Sequence, residues 1–426
     1  MKLFIKKNIE SFVFHFDRYN FYIILSLYLC LTIFASLLFS FKFSSMFPNI
    51  INDNYIKLEN IPFNIGNLIN NLINNHSYKV KLYEIDVYLD RLPFVAFITI
   101  IISNLSTNIY IFLLIKNFFF FSLFFYFCNK IKFIFNDNFF FFFILTHIFF
   151  FNFFNLQTSL NFVFEDAYIS ILLPTLFLIL INNKIKNQEI LVSIFLVLLF
   201  FTKTTMIYLT ITISIFIIFL KKNKSIKKYL PISCILICML VWGLFGYIKT
   251  ARVPFLNSIS STNQQALALV FNEKFKYNYP EKIIDILYPE VIAKNLPSFK
   301  SEWEYHDYFK NRNKKYLVEN KLEIIEGIAK KLNFLFFNIK DKNRYSISHM
   351  LNRIFFFFSL TIFFYKFIKK NYSEIDFYFI AMITTNLLPL IIGWITSKHL
   401  VPMFVICQIY CLLNINIFFN DKYKTI

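Results

Sequence analysis

Long apolar stretches separated by lysine-rich connections constrain this chain more than any other feature. A bilayer-spanning helix needs about 20 mainly apolar residues. Candidates of near that length recur at 20–41, 109–127, 138–154, 167–182, 189–202, 205–220, 229–248, 351–368, 375–396 and 399–419. Hydrophobic residues make up 57% of the 426, and Phe alone occurs 62 times, more apolar surface than a water-exposed fold can bury. The expected fold class is an all-α polytopic transmembrane helix bundle of about ten helices. A short interfacial helix and one large, partly helical external loop complete it. Runs such as Phe118 to Phe121 and Phe139 to Phe143 read as lipid-facing or core filler.

The charges set the direction of threading. The formal net charge is +19, but the cations sit beside the apolar stretches instead of forming a basic, aromatic-interleaved domain. That distribution speaks for the positive-inside rule and against a nucleic-acid partner. With the N-terminus inside, Lys130/Lys132, Lys184/Lys186, the run Lys221 to Lys228, Lys366/Lys369/Lys370 and Lys422/Lys424 all fall on the cytoplasmic side. A crossing at 93–104 would invert every later loop, so that shorter stretch reads as interfacial or re-entrant. Lys2, Lys6, Lys7 and Arg18 precede a hydrophobic stretch long enough to span, which reads as a retained first helix. The six cysteines (Cys30, Cys128, Cys234, Cys238, Cys407, Cys411) lie in apolar segments and spell neither a disulfide framework nor a zinc spacing.

This threading gives three parts: an N-terminal transmembrane module, 1–248, with a first external loop at 43–92; an external loop domain, 249–350; and C-terminal transmembrane helices, 351–426. Apolar residues at helical spacing between Lys310 and Phe337 predict an amphipathic helix in the large loop. Both termini are expected in the cytoplasm of a bacterial inner membrane.

Four polar features stand on the external side. The first loop ends in three carboxylates, Glu84, Asp86 and Asp90, followed by Arg91-Leu92-Pro93. Acids there can supply a base or a metal ligand at the membrane surface, although a solvated loop would look the same. Glu165-Asp166 opens the fourth span, where helix capping is the alternative role. Lys203 occupies a tight turn between two spans, suited either to a lipid phosphate or to simple snorkelling. Lys398-His399 opens the last span, where the pair can bind phosphate or anchor the helix end. No glycine-rich phosphate loop exists, and the chain has only five glycines.

The order of these features resembles the GT-C superfamily of membrane glycosyltransferases, in particular bacterial members of the protein mannosyltransferase and aminoarabinose transferase group. The resemblance rests on first-loop acids before Arg91-Leu92-Pro93, on Glu165 at a helix head, on Thr202-Lys203, and on Lys398-His399-Leu400-Val401-Pro402. In the large loop, Tyr316-Leu317-Val318-Glu319-Asn320-Lys321 carries lysine where the family usually has proline. The first-loop acids are also not the adjacent pair many members show, and Phe94 stands where a glycine often follows. The resemblance implies sugar transfer from a polyprenyl-phosphate-linked donor to a lipid, glycan or protein acceptor on the external face. It implies Asp86, Asp90 or Glu84 as catalytic base and Arg91, Glu165, Asp166, Lys203, Lys398 and His399 as substrate-binding residues. It leaves a divalent cation, Mg or Mn, open as a cofactor. Two rivals remain: an O-antigen polymerase- or ligase-like enzyme, for which the 249–350 loop has few arginines, and a flippase or transporter of lipid-linked sugars, which needs polar residues deep inside several spans.

Overall fold

The computed structural model describes residues 51–52, 55–61, 65–82, 85–89, 91–131, 165–182, 184–221, 225–254, 298–319, 346–392 and 397–419, with a few isolated positions elsewhere. The described part is mostly helical. The expected spans at 20–41 and 138–154 fall outside it, apart from single positions, as does most of the large loop.

The remaining expected spans appear as helices close to their sequence bounds. After a two-residue ladder of β1 (Ile51–Asn52) and β2 (Tyr55–Ile56), α1 spans Ile65–Asn74 and is followed by the hairpin β3 (Val80–Leu82) and β4 (Ile85–Val87). The interfacial segment is α2, Pro93–Leu105, with Pro93 in its first turn, where a missing N–H leaves no helical bond unmade. Next come α3 (Ile109–Ile131), α4 (Glu165–Leu180), α5 (Gln188–Phe200), α6 (Met206–Leu220) and α7 (Leu230–Thr250). The large loop contributes α8 (Glu302–Glu319), and the chain continues through α9 (Ser346–Ile368), α10 (Glu374–Ile392) and α11 (Ser397–Phe419). Two of these helical segments, Ile109–Cys128 and Ile226–Thr250, are long and apolar enough to cross a bilayer.

Helix α4 is the axis of the bundle. Every residue from Asp166 to Leu180 is buried, and the helix packs against α3, α5, α10 and α11. A helix that is apolar on all sides can be covered all round, and that is what the neighbours do. Its C-terminal end is closed by Gln188, whose Nε2 donates to the carbonyls of Ile179, Leu180 and Asn182 at 2.6, 3.1 and 3.2 Å. The Ile179 and Asn182 carbonyls also accept from the Asn182 and Ile185 N–H groups, so Gln188 reinforces a closure that the turn begins and gives Leu180 O, an orphan acceptor of the helix terminus, its donor. Helix α7 is the opposite case. Leu236, Ile237, Leu240, Val241, Leu244 and Ile248 are all more than half exposed along it.

The first loop is tied to the bundle at several points. Ile56 N–H donates to Thr107 O at 2.9 Å and Phe94 N–H to Phe201 O at 3.2 Å. Leu89, Leu92 and Trp242 form a buried cluster ringed by Tyr78, Phe201, Phe245 and Trp303. Gly246 lies here, and a β-carbon on it would meet the Pro254 ring at 2.5 Å. That close approach explains a glycine inside α7.

Candidate functional site at the rim of the bundle

Four of the sequence-selected residues meet. Glu165 and Asp166 stand in the first turn of α4, Arg91 immediately precedes α2, and Lys203 sits in the turn between α5 and α6. Arg91 Nη1 lies 3.4 Å from Glu165 Oε1, and Lys203 Nζ donates to Asp166 Oδ1 at 2.7 Å. Residues separated by 74 and by 37 positions are thereby joined in one charge-balanced group. All four side chains keep less than a quarter of their surface. Burial works against the Lys203 charge, but Asp166 and then Glu165 outweigh it and hold the pKa above the ordinary lysine value. The two acids thus favour the charged form of Lys203 at this rim.

Local structure explains the convergence. The two acids favour a helix N-terminus, where the backbone N–H groups are unpaired and the dipole is positive. The Arg91 backbone is held from behind, because the Tyr78 hydroxyl donates to its carbonyl. The Thr202 hydroxyl donates to Leu198 O at 2.6 Å and finishes α5, which sets the turn that carries Lys203.

Asp86 belongs to a different group. It lies on β4, directly across the ladder from Lys81, and its Oδ2 accepts from Lys79 Nζ at 2.7 Å. That hydrogen bond and the carboxylate charge hold the Lys79 pKa above its ordinary value. Asp86 lines a cavity of about 550 Å³ between the hairpin, the end of α7 and the start of α8. Glu302, 4% exposed, also lines it and accepts from the backbone N–H groups of Tyr88 and Leu89 at 2.8 and 3.2 Å. Glu84 and Asp90 lie outside the described residues. Lys398 and His399 are in the first turn of α11, as expected, with only their backbone described.

Among the described residues no group of three His, Cys, Asp or Glu assembles into a cation site, and Glu165 and Asp166 each already face a cation.

Sequence reasoning missed three polar groups. Lys116 lies in the apolar span of α3, fully buried, with Nζ 5.5 Å from the centroid of the Tyr168 ring one turn below Glu165. Its signal was a lone cation within an apolar run, a rare and costly placement in lipid. Glu302 gave no signal, because only folding brings it against the first loop. At another end of the bundle Lys366 Nζ donates to Asp376 Oδ1 at 2.6 Å, and the Tyr410 hydroxyl donates to the same oxygen. Lys366 was read as a cytoplasmic charge; it is buried, and its carboxylate partner completes a local network.

No protein-family model, curated protein or solved structure matches the chain.

Proposed function

We propose that this protein is a polytopic inner-membrane glycosyltransferase of the GT-C type. In this reading it moves a sugar from a polyprenyl-phosphate donor to a lipid, glycan or protein acceptor on the external face. The observation that carries the reading is the meeting of Arg91, Glu165, Asp166 and Lys203 at the heads of apolar helices. Two cations and two carboxylates at one rim offer both needs of the reaction. The cations offset charge developing on the departing lipid phosphate, and the carboxylates accept hydrogen bonds from sugar hydroxyls. Lys398 and His399 would add to the phosphate side.

The acceptor hydroxyl needs a base as its oxygen attacks the anomeric carbon. Glu84, Asp86 and Asp90 remain the candidates. The proton passes to the carboxylate, the glycosyl bond forms, and the bond to the phosphate oxygen breaks with both electrons leaving on the phosphate. A rim position suits such a donor, because its tail stays among lipid chains while its head reaches the polar group. The exposed apolar face of α7 supports the membrane setting, since water would penalise it by roughly 25 cal/mol for each Å² left uncovered.

The test is transfer itself. Purified protein in lipid receives radiolabelled polyprenyl-phosphate sugars with membrane lipids and glycans as acceptors. Label is expected to leave the donor, and Glu165→Gln or Lys203→Met to cut the rate by about 100-fold or more, the scale of a lost charge-stabilising contact. Asp86→Asn and Asp90→Asn, singly and together, identify the base. If both leave the rate intact, the base is not among them.

Lys116 favours a second reading, a carrier of lipid-linked sugars, because a cation inside a span marks a passage in many transporters. Label that stays on the donor but appears in the opposite leaflet would establish that reading and sink the first.

A further inference from the structure

The cavity beside the hairpin has a chemistry of its own. Lys81, Lys249 and Lys300 line it, all three are exposed, and none forms an ion pair among the described residues. They come from β3, from the last turn of α7 and from the residues just before α8. Three ammonium groups lining one space offer an anion three positive charges at once.

The two carboxylates in the lining offset these charges only in part. Lys79 already neutralises Asp86, and Glu302 keeps its charge while its Oε2 accepts from the Tyr88 and Leu89 backbone N–H groups, so one carboxylate faces three lysines. Among the described residues the lining therefore keeps a surplus of positive charge that suits an anionic ligand.

A second feature narrows the ligand beyond a bare anion. Asp86 Oδ1 is buried with no hydrogen-bond partner among the described residues, an open acceptor that costs free energy until a donor fills it. A phosphate dianion offers no donor to it, whereas a sugar hydroxyl does. Tyr88 and Phe299 add two rings to the lining, and Lys249 Nζ stands 5.9 Å from the Tyr88 centroid. Aromatic faces and a carboxylate acceptor suit the C–H and O–H edges of a pyranose, and the lysines suit its phosphate.

We infer that this cavity is a binding site for a phosphorylated carbohydrate, formed by Lys81, Lys249 and Lys300 around the phosphate and by Asp86, Tyr88 and Phe299 around the sugar. The site needs no polyprenyl donor and stands or falls apart from the transfer reading. Its position at the end of α7 admits either a soluble sugar phosphate or the headgroup of a phosphoglycolipid.

The experiment uses the full chain in phosphatidylcholine nanodiscs and measures binding of glucose 6-phosphate, glucose and inorganic phosphate by saturation-transfer NMR. A parallel arm adds phosphatidylinositol 4-phosphate to the nanodisc as competitor. Glucose 6-phosphate is expected to bind at least tenfold more tightly than either glucose or phosphate, the factor one charge-assisted contact supplies. Lys249→Ala and Lys300→Ala should each weaken it about tenfold, and Asp86→Asn should remove the preference over inorganic phosphate. Competition by the lipid identifies a headgroup as the source, and its absence a soluble ligand; either result upholds the site. Equal binding of glucose and glucose 6-phosphate, or binding unchanged in the lysine variants, overturns it. Because no donor is present, failure of sugar transfer leaves this outcome untouched.

Discussion

At the scale of the residue, burial decides what each charge can do. Lys203 and Asp166 are two exposed-looking letters in the sequence, yet in the fold each is the reason the other tolerates its surroundings. His306 shows the opposite balance. It packs edge-on to Trp303, its Nδ1 is buried with no hydrogen-bond partner among the described residues, and burial holds its pKa below the usual value. Asp307 pulls that value up, while Lys310 and Arg252 push it down. The neutral imidazole is thus the form the fold prefers. Its stabilisation is complete above the unfolded pKa of about 6.5 and is lost as pH falls through the folded value. The protection factors of the α8 backbone amides, corrected for intrinsic exchange, should therefore fall between about pH 7.5 and 5, and His306→Gln should flatten that change. Protection factors indifferent to pH in the wild type would remove the assignment.

At the scale of the element, close approaches fix where helices begin and which way they point. Gly66 N–H donates to Ile61 O at 3.0 Å, and a β-carbon on Gly66 would sit 2.5 to 2.7 Å from the carbonyl oxygens of Glu59, Ile61 and Leu58. Backbone atoms cannot swing aside as a flexible side chain does. Gly66→Ala should therefore destabilise by about 1–3 kcal/mol, read as a lowered Tm, despite the better helix propensity of alanine. The neighbouring exposed Asn67 supplies the control, since Asn67→Ala should stay within about 0.5 kcal/mol of wild type. Equal Tm values for the two variants would mean that α1 does not rest on the 58–61 turn. The cap of α4 by Gln188 follows the same logic, with Lys221 Nζ in turn donating to Gln188 Oε1 and Glu189 Oε1 at 2.6 and 2.7 Å.

At the scale of the whole molecule, the lysine run at 221–228 and the cavity lysines must face opposite sides if the chain threads as its charges imply. In a background lacking the six native cysteines, Ser225→Cys and Ser301→Cys should react with a membrane-impermeant maleimide from opposite faces of sealed vesicles. Labelling from one face alone would break the proposed threading and move the rim cluster to the wrong compartment for a polyprenyl-linked donor.

What the sequence determined by itself was where most of the described apolar helices fall, while the expected 20–41 and 138–154 lie outside the described residues. The expected 189–202 and 205–220 became Gln188–Phe200 and Met206–Leu220, and the short 93–104 stretch became Pro93–Leu105. Apolar length is a local property, and lipid-scale hydropathy reads it directly. The residues Arg91, Glu165, Asp166 and Lys203 were also legible, because charges at the ends of apolar runs stand out. Their pairing was not, since an ion pair across 74 residues depends on where α2, α4 and the α5–α6 turn come to rest. The same holds for Asp86, which the sequence grouped with the other first-loop acids and the fold set against Lys79. Tertiary packing alone decided that Glu302 would hold the first loop and that three lysines from three elements would surround one cavity, because both depend on contacts between segments far apart in the chain.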